Sequence, residues 1–524
     1  MHRNVRLQPV QNQAAINIAN TSRGGFLMSQ IDYLMMPWYK KIPYRIYIGI
    51  KGIVLGLIAF IIAIPKRTVK ICKTIGGGVL SYFRAFRYGD IKTKLSFIIM
   101  GASNALRGQI IKGILFLIGE IAFIIYMVKV GVSQILGLRH LGLVEQGWTF
   151  DEELGIDILA EGDNSMLILL YGVFAMFIVI GFILLYISNI RAAVTAEEIE
   201  ASGKKLPTFA KDIKDYFDGK FYKTLLTMPI IGVLMFTIIP LVYMILIAFT
   251  NYDNMHQPPG KLFTWIGFGN FKTMLVSNGL ISSTFWPILG WTLIWAVFAT
   301  GLNYILGILL AMMINKKGIK YKPLWRTIFI TSMAIPQFVS LLVMKNMLNA
   351  EGPINVLLKN WGLIERSLPF LTDGNWARVV VIVVNLWIGI PYSMLITSGI
   401  LMNIPDYLYE SAKIDGASPV RMFRHITLPY VLFVTTPYLI TQFIGNINNF
   451  NVIYFLTGGG PSTLEYYQAG KTDLLVTWLY KLTVNSKDYC YASTIGILVF
   501  VLSAVFSLIA FRRSSAYKNE EVFQ

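Results

Sequence analysis

Nine stretches of this 524-residue chain are each apolar over about 20 residues or more. A helix needs about that length to cross roughly 30 Å of lipid hydrocarbon, which cannot hydrogen-bond to exposed backbone groups. Charged residues make up only 14% of the chain, against about 25% in soluble domains. The sequence therefore predicts an all-α, polytopic transmembrane helical bundle. The stretches are 44–64, 108–130, 165–187, 225–250, 283–314, 327–348, 377–399, 430–456 and 491–511.

Basic residues alternate between the connections, as expected when cytoplasmic loops retain positive charge during insertion. One set of alternate connections holds 27 Lys and Arg, while the other set holds 8. The stretch 44–64 is flanked by basic residues on both sides, so two topologies stay open: eight spans with both ends inside, or nine with the N-terminus outside. The predicted cytoplasmic set is 65–107, 188–224, 315–326, 401–429 and 512–524.

The chain is expected to divide into five parts. Residues 188–224 mix basic and acidic side chains with Gly203 and Pro207, which favours a solvated linker. The predicted parts are an N-terminal cytoplasmic or interfacial region 1–107 with the uncertain segment 44–64, two spans in 108–187 with an external loop 131–164, the cytoplasmic linker 188–224, a six-helix core 225–511 with a cytoplasmic loop 401–429, and a cytoplasmic tail 512–524.

Several kinds of chemistry are disfavoured. No connection is long enough for a catalytic domain, and the basic clusters lie between apolar runs rather than on a soluble nucleic-acid-binding domain. The four histidines lack neighbours at metal-ligand spacing, so we expect no metal site. A phosphate-binding loop ending in Gly470-Lys471-Thr472 would need glycine where Glu465 stands. Lys112 and Glu120 are the intramembrane ionisable candidates, but they lie outside the six-helix core, so the energy for transport is expected to come from another chain.

The connection 404–429 has clear helix punctuation. Pro405 suits the first turn of a short helix, and Gly416 can adopt the left-handed conformation that ends it. Ser418 then suits the cap of a second short helix with Pro419 at its first position, and Pro429 leads into the next span. A short helix-turn-helix against the membrane is a plausible docking element for another protein.

The same connection resembles the E-A-A…G…I-x-L-P loop of binding-protein-dependent ABC importer permeases, with serine for one alanine. The resemblance implies a type I importer permease fold, in which this loop is the coupling helix that inserts into an ATPase subunit. ATP and Mg²⁺ would then bind to that partner and no cofactor to this chain. The residues that carry the resemblance are Glu410, Ser411, Ala412, Asp415, Gly416, Ala417, Ile426, Leu428 and Pro429.

The resemblance extends over roughly 225–511 and is greatest to the larger permease subunit of maltose/maltodextrin transporters. Further matching stretches are 385–392, 446–450, 457–461 and 472–476. The member of this family in Gram-negative bacteria has a large external domain where this chain offers only 251–282. Contact with the extracellular sugar-binding protein must therefore be made differently, as in Gram-positive relatives whose binding protein is lipid-anchored.

Two spans carry polar and aromatic residues at helical spacing. Each set follows i, i+3, i+4, i+7 and so shares one helix face. Amides offer donors and acceptors to sugar hydroxyls, and a tyrosine ring can lie against a pyranose. The alternative is that amides bond across helices and glycines permit close packing; the resemblance favours a sugar site. The first set is Asn385, Ile388, Gly389 and Tyr392, and the second is Gln442, Gly445, Asn446 and Asn449.

The sequence thus predicts a permease subunit of an ATP-driven importer for maltodextrin-like oligosaccharides, in a bacterial cell membrane with its C-terminus in the cytoplasm. The expected partners are a second permease, an ATPase pair, an external sugar-binding protein and membrane lipid, without nucleic acid. One rival is a secondary sugar transporter, which would work without an ATPase. The other is a glycosyl-transferring enzyme, but the acidic run 151–153 lacks companions that would hold a substrate.

Overall fold

A computed structural model of the chain describes residues 82–145, 147–151, 155–160, 162–316 and 318–513. The predicted segment 44–64 and residues 514–524 of the predicted tail lie outside these ranges. Within them the regular secondary structure is helical apart from one antiparallel hairpin, in which Trp148 is paired with Leu159.

Residues 82–88 are helical, and the labelled helices follow them along the chain. The α-helices are α1 Ile91–Leu95, α2 Ala102–Leu106, α3 Ile110–Tyr126, α4 Val132–Arg139, α5 Ser165–Ala201, α6 Phe209–Phe217, α7 Phe221–Val233, α8 Ile239–Ile247, α9 Gly269–Leu275, α10 Leu280–Asn315, α11 Lys322–Ala334, α12 Gln337–Met347, α13 Pro353–Asn360, α14 Gly374–Leu401, α15 Asp406–Ile414, α16 Pro419–Met422, α17 Leu428–Ile447, α18 Phe450–Thr457, α19 Leu475–Lys481 and α20 Tyr489–Arg513. Four π-helical turns cover Met127–Gly131, Leu234–Ile238, Phe423–Thr427 and Leu482–Ser486, and the strands are β1 Gly147–Asp151 and β2 Ile156–Ala160.

The described residues contain seven helices long and apolar enough to span a membrane, and the bent pair α11–α12 makes an eighth. These eight correspond to the eight predicted stretches after residue 107, so the polytopic all-α class is confirmed. The seven are Ile110–Arg139, Ser165–Ala201, Phe221–Ile247, Leu280–Asn315, Gly374–Leu401, Pro419–Thr457 and Tyr489–Arg512.

Two of the π-helical turns precede a proline inside a continuous span. Pro240 follows Leu234–Ile238, and Pro429 follows Phe423–Thr427. A proline ring clashes with the carbonyl four residues earlier and supplies no N–H. In each span that earlier carbonyl lies in the wider π turn, so the helix continues through the proline.

The longest helix of the core, α10, packs against both α14 and α17. Trp291 and Trp295 are buried with Val381 of α14 and Val452 of α18. A Cβ at Gly307 would stand 2.4 Å from the Cβ of Ser393, so α10 and α14 approach closely only because residue 307 is glycine. This close packing fixes the relative positions of the helices that enclose the cavity described below.

The connection between the two N-terminal spans, and the connection from the second of them to the core, both contain more regular structure than predicted. On the side predicted to be external, 131–164, the helix continues to Arg139 and the β1–β2 hairpin follows. On the side predicted to be cytoplasmic, α5 continues to Ala201 and α6 covers Phe209–Phe217, so much of the expected linker 188–224 is helical. Helix α5 extends beyond the predicted span because its end contacts α1 and α2, which are distant in sequence.

Arg107 is the centre of these contacts. Its side chain is fully buried and its Nη2 lies 2.6 Å from Asp90 Oδ2, while its Nε lies 2.7 Å from Glu200 Oε2 near the end of α5. Arg107 also donates to the hydroxyls of Ser103 and Thr93. We call these five residues the Arg107 cluster. The cluster joins the segment before α3 to the end of α5, because a buried guanidinium must have its donors paired.

The two ionisable candidates of α3 have partners in this same region. Glu120 Oε2 accepts a hydrogen bond of 2.8 Å from the backbone amide of Met100. Lys112 Nζ lies 3.3 Å from Asp212 Oδ2 of α6. Both side chains therefore hold peripheral segments of the described chain together.

Candidate functional site

A cavity of about 390 Å³ lies between α10, the α11–α12 bend, α14 and the α17–α18 junction. Ligand pockets in proteins commonly measure about 300–1,000 Å³. The structure brings seven of the eight residues predicted from the two polar faces to this cavity: Asn385, Ile388, Gly389, Tyr392, Gln442, Asn446 and Asn449. The eighth, Gly445, is exposed and is not part of the lining.

The α14 side of the cavity is the predicted face. Asn385 is 4% exposed, and its Nδ2 is buried without a hydrogen-bond partner among the described residues. One turn later, Gly389 leaves space that is filled by Asn303 of α10, whose Nδ2 would lie 2.0 Å from a Cβ at position 389. The Tyr392 ring lies 6.0 Å from the ring of Tyr438, measured between centroids.

The span that carries the second predicted face is interrupted at the cavity. Helix α17 ends at Ile447, and α18 begins after Asn449, which caps α18 by accepting a 3.2 Å bond from Val452 N. Asn446 Nδ2 donates to Thr300 Oγ1 at 3.0 Å, and Asn449 Nδ2 donates to Asn446 Oδ1 at 3.3 Å. Both amides line the cavity, and Asn446 also connects α17 to α10 while Asn449 caps α18. The helix-contact alternative thus holds for Asn446, and the sugar site stays a prediction for both residues.

Two nearby asparagines, Asn448 and Asn451, do not lie on the shared face. The sequence therefore favours a helix-packing role for them over sugar binding. Asn451 Nδ2 donates to Gln337 Oε1 of α12 at 3.3 Å, a contact between helices. Asn448 Nδ2 donates to Ile444 O of its own helix at 3.1 Å. Neither residue belongs to the cavity lining.

A bend of 86° between α11 and α12 forms another wall of the cavity. Pro336 lies at the bend, and Ile335 before it is extended, as expected for a residue that precedes proline. Irregular backbone is tolerated at membrane depth where it lines a cavity rather than faces lipid. The amino end of α12 therefore lies beside the cavity, with its first N–H groups outside the hydrogen bonding of the helix.

Helix α10 contributes lining residues that were not predicted: Thr300, Asn303 and Tyr304. A signal for them is present in the sequence. Together with Gly307 they follow the same i, i+3, i+4, i+7 spacing as the two predicted faces. This third polar face completes the cavity, because Thr300 contacts Asn446 and Asn303 contacts Gly389.

The cavity is neutral. No Asp, Glu, Lys, Arg or His occurs among its described lining residues, and hydroxyl and amide groups alternate there with the rings of Trp387, Tyr392 and Tyr438. Such a lining offers both donors and acceptors together with apolar ring faces. An uncharged, hydroxyl-rich solute suits it better than an ion, which would require charged partners.

The predicted cytoplasmic turn has the geometry expected from its sequence. Gly416 is left-handed at φ +71°, with its N–H bonded to Lys413 O at 3.0 Å, while Ala417 N bonds to Ala412 O at 2.9 Å. These two bonds form a Schellman motif that ends α15. Ser418 accepts from Arg421 N at 3.3 Å and so caps α16, with Pro419 at its first position.

The second short helix of the prediction is not separate. Helix α16 continues through the π-helical turn Phe423–Thr427 into α17, so a single helical run, Pro419–Ile447, joins the turn to the cavity. The inner sides of α15 and the turn pack through Leu408, Ile426 and Leu428, and Tyr409 Oη lies 2.9 Å from Thr427 Oγ1.

The outer side of this helix-turn-helix is exposed and apolar at its tip. Ile414 is 87% exposed and Val420 is 74% exposed, on either side of the Gly416 turn. Glu410, Ser411, Asp415 and Pro429 are also exposed. The tip of the predicted docking turn thus presents two aliphatic side chains and several polar ones to its surroundings.

The opposite end of the cavity helices is joined by the connection between α18 and α19. Trp291 Nε1 donates to Thr472 O at 3.1 Å, and Arg378 Nε donates to Lys471 O at 2.9 Å. Burial raises the pKa of Asp473 in this connection, although Lys481, 2.6 Å away, opposes the shift. The connection is thereby held to both α10 and α14.

The fold defines a polytopic membrane protein with a neutral internal cavity and an exposed turn linked to that cavity by one helix. Residues 303–514 match the family described as binding-protein-dependent transport system inner membrane component.

Two relatives extend this match over most of the chain. The maltodextrin transport system permease protein MdxF of Bacillus subtilis is 36% identical over 439 residues, which cover 82% of this chain and 97% of that protein. The galactooligosaccharides transport system permease protein GanP of Bacillus subtilis is 36% identical over 427 residues, covering 81% of this chain and 97% of that protein. The chain belongs to the family of binding-protein-dependent transport system inner membrane components. The interpretation as a transport subunit rather than an enzyme is confirmed.

A solved structure is also similar. The crystal structure of a bacterial ABC transporter involved in the import of the acidic polysaccharide alginate has a chain 26% identical to this one, with a TM-score of 0.46. The similarity covers 57% of this chain and 96% of that chain.

Proposed function

We propose that this chain forms half of the translocation path of an ATP-driven importer and binds a neutral oligosaccharide in the cavity between α10, α14 and α17. A second permease would form the other half, and an ATPase pair would supply the energy. Membership of the permease family supports this assembly, and the neutral, amide-lined cavity supports the type of solute.

One observation carries the proposal: a single helical run leads from the exposed Gly416 turn to residues of the cavity. The run Pro419–Ile447 begins three residues after Gly416 and carries Gln442 and Asn446 to the cavity. Force applied at the turn would therefore move the cavity wall without an intervening flexible loop. This arrangement is what alternating access driven by a partner requires.

The ATPase would bind α15 and the Schellman turn through the exposed Ile414 and Val420. ATP and Mg²⁺ would be held by that subunit, and its closure would move α15 and the run that begins at Pro419. The cavity helices would then rock and expose the cavity to the opposite side of the membrane. This chain would supply the path and the coupling, and hydrolysis would occur on the partner.

The substrate class follows from the lining. Sugars present many hydroxyls and an apolar ring face, which match the amides and the rings of Trp387 and Tyr392. The names of the two Bacillus subtilis relatives specify maltodextrin for one and galactooligosaccharides for the other, at equal identity. The proposed substrate of this chain is a neutral oligosaccharide of the maltodextrin type. A galactooligosaccharide is the alternative substrate to be tested.

The proposed orientation places the α15–α16 turn and the C-terminus in the cytoplasm, because the basic connections lie on that side. Sugar would then be delivered on the face of the β1–β2 hairpin by an external binding protein anchored by lipid. That protein would contact short connections, since 248–279 is the whole connection between α8 and α10.

Co-purification tests the assembly. The full chain is extracted from membranes of its own host, and bound subunits and sugars are identified by mass analysis. We expect a second permease and an ATPase in stoichiometric amounts, with neutral oligosaccharide retained. Purification of this chain as an oligomer of itself, active in sugar uptake without any ATPase, would instead identify a secondary transporter.

A further inference from the structure

Asn303 and Asn385 each have a cavity amide atom without a hydrogen-bond partner in the described chain, unlike Asn446 and Asn449. Asn446 and Asn449 have protein partners at 3.0–3.3 Å. By contrast, Asn303 Oδ1 and Asn385 Nδ2 are buried and have no hydrogen-bond partner among the described residues. A buried polar atom left unpaired costs free energy, so its retention in a cavity points to a partner that arrives from outside the chain.

The two unpaired atoms are complementary, because one is an acceptor and the other is a donor. Their positions are linked by Gly389, against which the amide of Asn303 lies: its Nδ2, Cγ and Oδ1 would all be within 2.7 Å of a Cβ at that position. Asn385 is one helical turn before Gly389, and residues at that spacing lie about 5–6 Å apart on a helix face. Two hydrogen bonds of about 2.8 Å that meet at one hydroxyl oxygen at a roughly tetrahedral angle join atoms about 4.5–5 Å apart, which is close to that spacing.

We infer that Asn303 is a further sugar-binding residue, and that it shares one sugar hydroxyl with Asn385. The hydroxyl donates its hydrogen to Asn303 Oδ1 and accepts a hydrogen from Asn385 Nδ2. A hydroxyl is suited to this position because it is donor and acceptor at once, whereas a carboxylate offers no hydrogen to Asn303. The inference rests on the proposed function and adds the basis on which the site selects a neutral sugar.

Gly389 has a positioning role in this arrangement. Any side chain at residue 389 would displace the amide of Asn303 from its place against Gly389. Gly389→Ala is therefore expected to weaken sugar binding by moving Asn303, not by filling the cavity. In an Asn303→Ala background the same change meets no amide, so it should then have little further effect.

The test uses the complete complex in proteoliposomes, with maltotriose and galactotriose as probes. Whichever probe the wild-type complex takes up is used to compare Asn303→Ala, Asn385→Ala and the double variant. Loss of one hydrogen bond should raise the half-saturating sugar concentration about tenfold. The double variant should lose less than the product of the single losses, because both residues bind the same hydroxyl. Asn448→Ala is the matched control, since Asn448 lies outside the lining.

Stability separates a binding role from a structural one. Because Asn303 Oδ1 has no protein partner, Asn303→Ala should leave the melting temperature of the sugar-free complex unchanged or higher. A lower melting temperature with unchanged sugar affinity would show that Asn303 is structural and would overturn the inference. So would equal behaviour of Asn303→Ala and Asn448→Ala.

The same experiment distinguishes the two levels of the proposal. If the wild-type complex takes up neither neutral probe, the proposed function itself fails. If the wild-type complex takes up a probe and Asn303→Ala is indistinguishable from wild type, only the assignment of Asn303 fails. Deoxy derivatives of the accepted probe test the assignment directly. The derivative that lacks the hydroxyl bound by Asn303 should bind equally to wild type and to Asn303→Ala.

Discussion

The Arg107 cluster and the cavity are both polar sites within a largely apolar bundle, yet they treat their polar atoms in opposite ways. Arg107 is fully buried, and its Nε and both Nη atoms are paired with groups from the same chain. In the cavity, Asn303 Oδ1 and Asn385 Nδ2 are buried and unpaired within the described chain. The first site connects two segments of the chain, and the second leaves two polar atoms for the sugar hydroxyl that we propose.

The same difference distinguishes the region around the Arg107 cluster from the six-helix core. Around the Arg107 cluster, side chains of α1, α2 and α5 hold one another, which is expected of a static support. In the six-helix core, Asn446 and Asn449 make protein contacts beside unpaired amides, and the same helical run leads to an exposed turn. Substitutions in the core should therefore alter transport, whereas substitutions in the Arg107 cluster should alter stability.

The largest effect is expected from Asn446→Leu combined with Asn449→Leu. The double change removes two cavity amides, the bond to Thr300 and the cap of α18, so sugar uptake should fall at least about 100-fold. Uptake by the reconstituted complex measures this, and gel filtration shows whether the complex still assembles. Asn448→Leu serves as the control, and normal uptake by the double variant would assign both amides to helix packing alone.

The next effect concerns the turn. Gly416→Val should reduce the amount of sugar transported per ATP about tenfold, because a β-branched residue at φ +71° costs about 1–2 kcal/mol and distorts the Schellman motif. Gly203 provides a matched control, since it has the same φ of +71° and equally open surroundings after α5. Equal loss in Gly203→Val and Gly416→Val would contradict a specific coupling role for the α15–α16 turn.

Arg107→Met should have the opposite profile. Asp90 and Glu200 lose their shared cation, so the melting temperature of the complex should fall, while the half-saturating sugar concentration stays within about twofold of wild type. Thermal unfolding and uptake are measured on the same preparation. Lys92→Met, which breaks only an exposed ion pair with Glu200, should have a small effect on both. A large change in sugar affinity in Arg107→Met would remove the distinction between the two sites.

The smallest effect is a pH dependence. Burial raises the pKa of Asp90, but hydrogen bonds from the Thr93 amide and from Arg107 outweigh it, so this pKa lies below its usual value of 3.8. A lowered pKa means that the stabilising contribution of the carboxylate is complete above about pH 4 and is lost as the pH falls below that value. Asp90→Asn should lack this part of the acid dependence of unfolding. An identical acid profile in both proteins would contradict the assignment.

Much of this architecture could be predicted from local sequence. Apolar length predicted the eight spans of the described residues, and the glycine and serine of the turn predicted its conformation, because both depend on neighbouring residues only. The face of α14 also follows from spacing. The face of α10 was missed although Thr300, Asn303 and Tyr304 have that same spacing, since they are scattered in an otherwise apolar helix.

Other features could not be derived locally. Arg107 and Glu200 are 93 residues apart, so nothing near either residue indicates their pairing or the helical continuation of α5 into the expected linker. Gly445 has the right spacing yet lies outside the cavity, because spacing alone does not show how a helix is rotated against its neighbours. The break at Asn449 likewise depends on the tertiary contacts of α18.

The most direct test of the account is sugar uptake by proteoliposomes that contain the complete complex and the external binding protein, with and without ATP on the cytoplasmic side. We predict that a neutral oligosaccharide accumulates only with ATP, and that Gly416→Val hydrolyses ATP without comparable uptake. Accumulation of the sugar by this chain in the absence of ATP and of an ATPase subunit would contradict the account.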